Sequence, residues 1–462
     1  MTHASLQDLL DGADSIVELL RNAQAGPNVY PGVPAEYSNW RDEQLAWQRT
    51  CVLFNQSYHM AELMVEGPDA LSLLSRLGVN SFAEFPVDRA KQFVPCTEEG
   101  HVIGDVILFH LDEHRFNLVG RAPVLNWVTY QAQRGGDRVK LELDQRTALR
   151  SDGRRRHYRF QVQGPNAMQV IERALGRPPQ ELRFFSMTSV EISGVRVRAL
   201  RHGMVGQPGW ELFGPWEDHD AVHGALVQAG TELGMRLVGG RAYSSNALES
   251  GWIPSPLPAI YTGEALRDYR RWLPAGGYEG SASIGGSFVS ERIEDYYLTP
   301  WDLGYGHLVK FDHDFIGRDA LQRMADGPHR TKVTLVLDEA DVTDVLGGML
   351  GPPERRPKFI DWPSAVYCMH PFDAVTADGE LVGLSTWIGY SANEGRMLTL
   401  AMLDAEHARP GSEVTLVWGE PGGGSRKPTV ERHVQREIRA TVAPAPYVES
   451  VRRSYRPPSA AA

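Results

Sequence analysis

A chain of 462 residues with 42% hydrophobic and 23% charged side chains has room for two or three domains, each with its own core. Its 47 Lys+Arg against 58 Asp+Glu leave a formal net charge of −11, which argues against nucleic acid as the main partner, because phosphate binding needs a basic face. A local basic patch that grips one anionic small molecule stays compatible with that balance.

The chain starts Met1-Thr2-His3-Ala4-Ser5, without a basic n-region or an apolar h-region, so no export signal is expected and the protein is read as cytoplasmic. No apolar run approaches the length of a membrane span, and no membrane partner is expected. Leu6, Leu9 and Leu10, then Ile16, Val17, Leu19 and Leu20, predict two short amphipathic helices broken at Gly12, with Ser15 and Glu18 as a capping box. The stretch from Ala25 to Pro34 is a Pro/Gly-rich loop. Two strands are expected between Val52 and Glu66, around Gln56-Ser57-Tyr58-His59-Met60, and Pro68 to Leu77 reads as a helix. Gln92–Pro95, His101–His110 and Phe116–Val119 predict a meander; Arg159–Gln163 predicts another strand and Asn166–Leu175 a helix. Cys51, Cys96 and Cys368 are odd in number, far apart and without CxxC spacing, so reduced thiols are expected and neither a disulfide framework nor a metal site.

From Leu200 to Pro215 the chain turns and then extends. Gly203, Gly206, Pro208 and Gly209 exclude a helix, and Trp210-Glu211-Leu212-Phe213 follows as a short apolar run with one carboxylate. Glu211 either faces water from an alternating strand or accepts two hydrogen bonds from a flat N–H-bearing heterocycle, and pattern alone leaves both open. Leu237–Asn246 then runs into Leu248-Glu249-Ser250-Gly251-Trp252 and a proline-rich loop, Ile253–Leu257. Asp326-Gly327-Pro328 marks the best boundary. After it, Lys332–Leu337, Gly383–Trp387, Leu398–Leu403, Glu413–Trp418 and Val430–Val442 predict a small β-barrel or sandwich, and Pro457–Ala462 a disordered tail. The division expected is 1–327, 328–450 and 451–462.

The chain has no GxxxxGK[ST], strand-linked GxGxxG, HExxH or GxSxG, and Gly422-Gly423-Gly424-Ser425-Arg426-Lys427 reads as a long hairpin turn. What stands out is a set of polar residues in apolar or turn contexts: Tyr30, His59, Arg121, Glu211 and Tyr243. Taken singly, each has an ordinary reading. His59 can be a satisfied core histidine or a group titrating near neutral pH, and Arg121, at a strand end after Val119-Gly120, can make a surface ion pair or grip a carboxylate.

Two stretches carry a family resemblance. Trp301-Asp302-Leu303-Gly304-Tyr305-Gly306-His307-Leu308-Val309-Lys310-Phe311-Asp312-His313-Asp314-Phe315-Ile316-Gly317-Arg318-Asp319-Ala320-Leu321 resembles the signature of the folate-dependent aminomethyltransferase superfamily, and the Glu211 turn-and-strand resembles its pterin-binding segment. From Ser15 to Arg456 the chain is similar to the tetrahydrofolate-dependent aryl O-demethylases acting on vanillate, 3-O-methylgallate or syringate. The resemblance implies an α+β fold: two interleaved α+β domains plus a C-terminal β-barrel, in a three-lobed ring around a folate channel. It implies tetrahydrofolate as cofactor, a methoxylated aromatic acid as substrate, and a monomer or homodimer. It places Tyr243 as the acid at the ether oxygen, Tyr30 and His59 beside the ring hydroxyl, and Arg121 on the ring carboxylate. Glu211 would hold the pterin, with Trp252, Phe184 and Gln163 in the folate wall.

Two departures matter. In Gly100-His101-Val102-Ile103-Gly104-Asp105 the first Asp of the aminomethyltransferase pattern is Gly104, and in Tyr243-Ser244-Ser245-Asn246-Ala247-Leu248-Glu249 its Arg is Tyr243. Both favour a neutral ether over an aminomethyl group. Aminomethyl or dimethylsulfoniopropionate-type transfer, and folate binding without turnover, are the alternatives. Asn28 stands where vanillate-type members carry an aromatic residue; it either makes room for a second methoxy group or only serves the Gly26-Pro27-Asn28 turn.

Overall fold

In the computed structural model, which describes residues 4–27, 29–147, 154–254 and 256–455, the first half of the chain weaves two sheets. Their strands are β1 (Cys51–Asn55), β2 (Ala61–Glu66), β3 (Arg89–Phe93), β4 (Val106–Asp112), β5 (Arg115–Gly120), β6 (Lys140–Asp144), β7 (His157–Gln163), β8 (Met187–Ile192), β9 (Val195–Leu200), β10 (Gly209–Pro215) and β11 (Met235–Leu237). One sheet runs β11-β1-β7-β10-β9-β8 and the other β3-β4-β5-β2-β6, so the chain leaves the first after β1 and returns at β7. This is the interleaving the resemblance implies.

Period-two alternation decides which face of each strand meets what. Tyr158, Phe160 and Val162 of β7, with Trp210 and Leu212 of β10, join one core under the helices Ala167–Leu175 and His219–Thr231. Arg159, Gln161 and Glu211 point the other way, and that face is buried too. Ala90, Phe109 and Val119 of the second sheet meet Met187, Leu200 and Phe213 of the first across it. The wet-face reading of Glu211 is therefore excluded; the residue is 3% exposed.

The remaining strands are β12 (Ile284–Gly285), β13 (Thr331–Leu337), β14 (His370–Pro371), β15 (Asp373–Ala377), β16 (Glu380–Ser391), β17 (Arg396–Leu403), β18 (Glu413–Trp418) and β19 (Arg436–Pro444). β12 pairs with β14, and the others close a barrel in the order β13-β17-β16-β15-β18-β19. β15 escapes the pattern because its five residues alternate weakly, and β19 starts at Arg436, not Val430. Gly422, Gly423 and Gly424 all take positive φ in the β18–β19 connection, the conformation a glycine turn supplies.

Several local expectations shift. The capping box is formed by Ser5 and Asp8, while Ser15 caps Glu18 without the reciprocal bond. The strand expected from His101 begins at Val106, because the Val102 amide is taken by the Leu298 carbonyl outside the sheet. The segment from 451 is helical through Tyr455, with Val451 buried against Gly206; residues 456–462 lie outside the described chain. Cys51, Cys96 and Cys368 are free and buried. Among the described residues no helix is long and apolar enough to cross a membrane.

The helix Trp40–Arg49 braces the helix Gly240–Ser250, on which the site depends. Trp47 Nε1 donates to Glu249 at 2.8 Å and Gln44 Nε2 to Ser245 at 2.6 Å. Asn39 Oδ1 caps the first of these helices by accepting from the Arg41 and Asp42 amides. Asn39→Ala is expected to lower stability by about 1 kcal/mol, read as a shift in the urea midpoint at unchanged slope.

Candidate active site

Where the two sheets, the helix Gly240–Ser250 and the barrel meet, they enclose a cavity of about 860 Å³. Tyr30, His59, Arg121, Phe184, Glu211, Tyr243 and Trp252 all line it. Asn28 lies outside the described residues.

Tyr30, His59 and Tyr243 form a ring cluster. Their centroids stand 5.0 Å (Tyr30–His59), 4.6 Å (Tyr30–Tyr243) and 4.9 Å (His59–Tyr243) apart. Backbone bonds set this arrangement. Gly240 and Arg241 donate to the Pro34 and Ala35 carbonyls at 2.9 and 3.1 Å, which lays the Tyr30 loop on the first turn of the Tyr243 helix. The Gly239 amide is anchored on Glu43 at 2.8 Å. His59 enters from the turn joining β1 to β2.

The electrostatics keep this cluster uncharged. Burial above all, then Tyr30, pushes the Tyr243 phenol well above its ordinary value, so it stays protonated. Burial raises Tyr30 likewise. Enclosure and then the nearby Arg121, Arg146 and Arg155 push His59 down to about 3, so it is neutral at physiological pH. That corrects the picture of a histidine titrating near neutrality: a cavity walled by cations disfavours a further positive charge. Gln56 Nε2 donates to the Tyr243 oxygen at 3.3 Å, which leaves the phenol proton free to point elsewhere.

Glu211 is held from behind. Arg159 Nη1 donates to Glu211 Oε1 at 2.7 Å and Arg159 Nε to Glu62 Oε1 at 2.8 Å. The guanidinium lies between the rings of Phe109 and Phe213, 4.7 and 4.5 Å from their centroids. His202 Nδ1 stands 3.3 Å from the other Glu211 oxygen. Burial pushes the Glu211 carboxyl up, but His202 and Arg159 together pull it below the usual range, so it is ionised.

Two expected wall residues are recast. Gln163 is fully buried and lies outside the cavity lining. Its Oε1 accepts from the Met204 amide at 2.8 Å and its Nε2 donates to the Gln207 carbonyl at 2.7 Å, so it pins the turn before β10. Trp252 does line the cavity, but its Nε1 donates to Asp105 at 2.9 Å. Tyr305 and Gln92 donate to the same Asp105 oxygen, and burial raises that carboxyl above its ordinary value. At Gly104 a Cβ would come 3.0 Å from Val124 Cγ2, a close contact that the glycine avoids.

Pattern reasoning passes over Arg159, Glu62, His202, Gln56 and Asp105. A signal was present for Arg159: it sits in Tyr158-Arg159-Phe160, a charge inside an apolar run of the same kind as Glu211. Two such opposite charges on neighbouring strands call for each other.

The family model described as the GCVT N-terminal domain matches residues 21–255. The chain belongs to the GCVT family. This GCVT protein is 60% identical over 451 residues to a syringate O-demethylase of Sphingobium sp. (strain NBRC 103272 / SYK-6), covering 98% of this chain and 97% of that one. It is 31% identical to a sesamin methylene transferase of Sinomonas sp. (strain No.22), covering 90% of each. An aminomethyltransferase of Streptomyces avermitilis is 28% identical, over 82% of this chain and 85% of its own. The glycine cleavage system aminomethyltransferase T from Bartonella henselae shares the fold, with a TM-score of 0.61 at 20% identity over 93% of this chain and 95% of that one.

The cavity of this GCVT protein fits tetrahydrofolate, the cofactor of its family. An ionised, buried carboxylate at the wall suits the amino and N–H edge of a pterin, and Phe184, Phe185 and Trp252 supply flat apolar wall. Among the described residues no group of His, Cys, Asp and Glu could hold a metal ion.

Proposed function

We propose that this GCVT-family protein is a tetrahydrofolate-dependent O-demethylase acting on a methoxylated aromatic acid of the syringate, vanillate or 3-O-methylgallate type. The observation that carries the reading is one cavity holding a protonated phenol, Tyr243, and an ionised carboxylate, Glu211. Demethylating an aryl ether needs both: a donor for the oxygen that becomes a phenolate, and an acceptor for the pterin edge. When bound, tetrahydrofolate supplies the nitrogen that receives the methyl group.

Tyr243 donates its hydrogen bond to the ether oxygen and stabilises the negative charge as the oxygen keeps the C–O bonding pair. Acid assistance of this kind is worth about 10²–10⁴-fold. Tyr30 and neutral His59 orient the ring hydroxyl by hydrogen bonds and exclude water from the ether. Arg121 receives the ring carboxylate. The rings packed around Tyr243 keep its phenol from ionising, so the donor is in place before the bond breaks. The aromatic product is a catechol or gallate. Three buried free thiols also suit a reducing, cytoplasmic setting.

Binding titrations with tetrahydrofolate and with syringate separate the two halves of the cavity. Glu211→Ala is expected to weaken tetrahydrofolate and spare syringate, and Arg121→Ala to do the reverse. Each loss should be about tenfold or more, as for a hydrogen bond to a charged group. Both substitutions acting on the same ligand would contradict the assignment.

A further inference from the structure

Three neighbouring strands of the five-stranded sheet end at one place. β5 and β6 flank β2 antiparallel on either side, with Gly120 opposite Ala61 and Asp144 opposite Glu62. The ends of β5 and β6 therefore lie beside the beginning of β2. Arg121 follows Gly120 directly, Arg146 comes two residues after Asp144, and His59 two before Ala61. The Thr147 amide donates to the Tyr58 carbonyl at 3.0 Å, tying the exit of β6 to the turn that carries His59.

What sets Arg121 and Arg146 apart is that no described carboxylate pairs with either. Arg155 pairs with Asp144 at 3.2 Å, and Arg159 with Glu62 and Glu211. Neither Arg121 nor Arg146 has a carboxylate partner among the described residues. Arg146 Nε is buried without a hydrogen-bond partner, and so is the hydroxyl of Tyr278, which lines the cavity with Arg121 and His59. Burial, and then the charge of Arg121, pulls Arg146 below its ordinary pKa, so the two cations feel each other. Two half-buried guanidiniums at the ends of strands flanking β2 repel, and a bound anion offsets that repulsion.

We propose that Arg121 and the Tyr278 hydroxyl, both in the cavity wall, bind the substrate carboxylate, that Arg146, outside the lining, reinforces them through its charge, and that this site selects aromatic acids over uncharged aromatic ethers. The proposal rests on the demethylase reading. Arg121 suits it because a guanidinium presents a planar fork matched to a carboxylate. Burial first of all keeps His59 neutral, and the charges of Arg121 and Arg146 act in the same direction.

The test compares syringate with its methyl ester, which differs by the missing charge. Calorimetric titration of the full-length protein and kcat/KM with tetrahydrofolate are measured for the native chain, Arg146→Met and Arg146→Lys. The native protein is expected to prefer the acid by about tenfold or more, Arg146→Met to lose most of that preference through the acid alone, and Arg146→Lys to keep part of it. Arg146→Gln replaces the methionine variant if the latter fails to fold. A folded Arg146→Met or Arg146→Gln that keeps the native acid-to-ester ratio overturns the role of Arg146 and leaves the demethylase reading intact. A native protein that handles acid and ester alike overturns the carboxylate site as a whole. If it binds neither, the demethylase reading falls and the site with it.

Discussion

Arg159→Met is expected to cost the fold about 3–5 kcal/mol at neutral pH, because it strands two buried carboxylates without their cation. Arg159 is 1% exposed and Glu62 and Glu211 are each 3% exposed, so solvent cannot take over the pairing. Burial pushes both carboxyls up, and Arg159, with His157 on Glu62 and His202 on Glu211, holds them below the usual range. In the native protein this contribution is present above the unfolded carboxylate pKa of about 4 and is lost as pH falls through the depressed folded values. In Arg159→Met only His157 and His202 remain to offset burial, and the sign is expected to reverse: the variant's carboxyls prefer to be protonated, and stability falls as pH rises. The gap between native and variant should therefore narrow as pH drops toward about 4. Urea unfolding of both proteins at neutral and acidic pH checks this; a gap that is small at neutral pH, or that widens with acid, would count against it. Since Glu211 would be partly neutral in the variant, its tetrahydrofolate affinity should also rise with pH where the native affinity is flat.

Tyr243→Phe is expected to lower kcat by about 10²–10⁴-fold while moving syringate affinity little. The substitution removes one hydroxyl from a residue that is 9% exposed, and the ring contacts with Tyr30, Phe54 and His59 survive it. The lost hydrogen bond strengthens only as charge grows on the ether oxygen, so the deficit belongs to the transition state. Rapid-quench measurement of the first turnover isolates methyl transfer from product release. An unchanged single-turnover rate would remove Tyr243 from the chemistry.

How much of this was legible in the sequence follows from where the physics is local. The strands on either side of Gln56-Ser57-Tyr58-His59-Met60 announce themselves by short apolar runs, and the barrel by turn residues at regular spacing. Glu211 was conspicuous as a charge in an apolar strand, but its meaning depends on Arg159, 52 residues away, and on Glu62, another 97 residues from Arg159. Such partners become neighbours only through strand register. The helix Gly240–Ser250 has no apolar stripe because it is surrounded: Tyr243, Ser245, Asn246 and Glu249 are all buried, and a polar face toward other polar groups leaves no periodicity to read. Gln163 was misplaced for the converse reason. A glutamine beside a glycine-rich turn can face a ligand or pin the turn, and only the backbone amides of Met204 and Val205 show which. Tyr30, His59 and Arg121 were visible through resemblance, not through pattern.

In the proposed reaction the methyl group of an aromatic ether passes to tetrahydrofolate within this cavity. Syringate carrying carbon-13 in its methoxy groups, incubated anaerobically with the full-length protein and tetrahydrofolate, tests it by nuclear magnetic resonance of the carbon label. The label is expected to move to 5-methyltetrahydrofolate in step with loss of one methoxy group from the ring, and not to move when tetrahydrofolate is omitted. Label appearing as methanol or formaldehyde, or staying on the ring while tetrahydrofolate is bound, would contradict it.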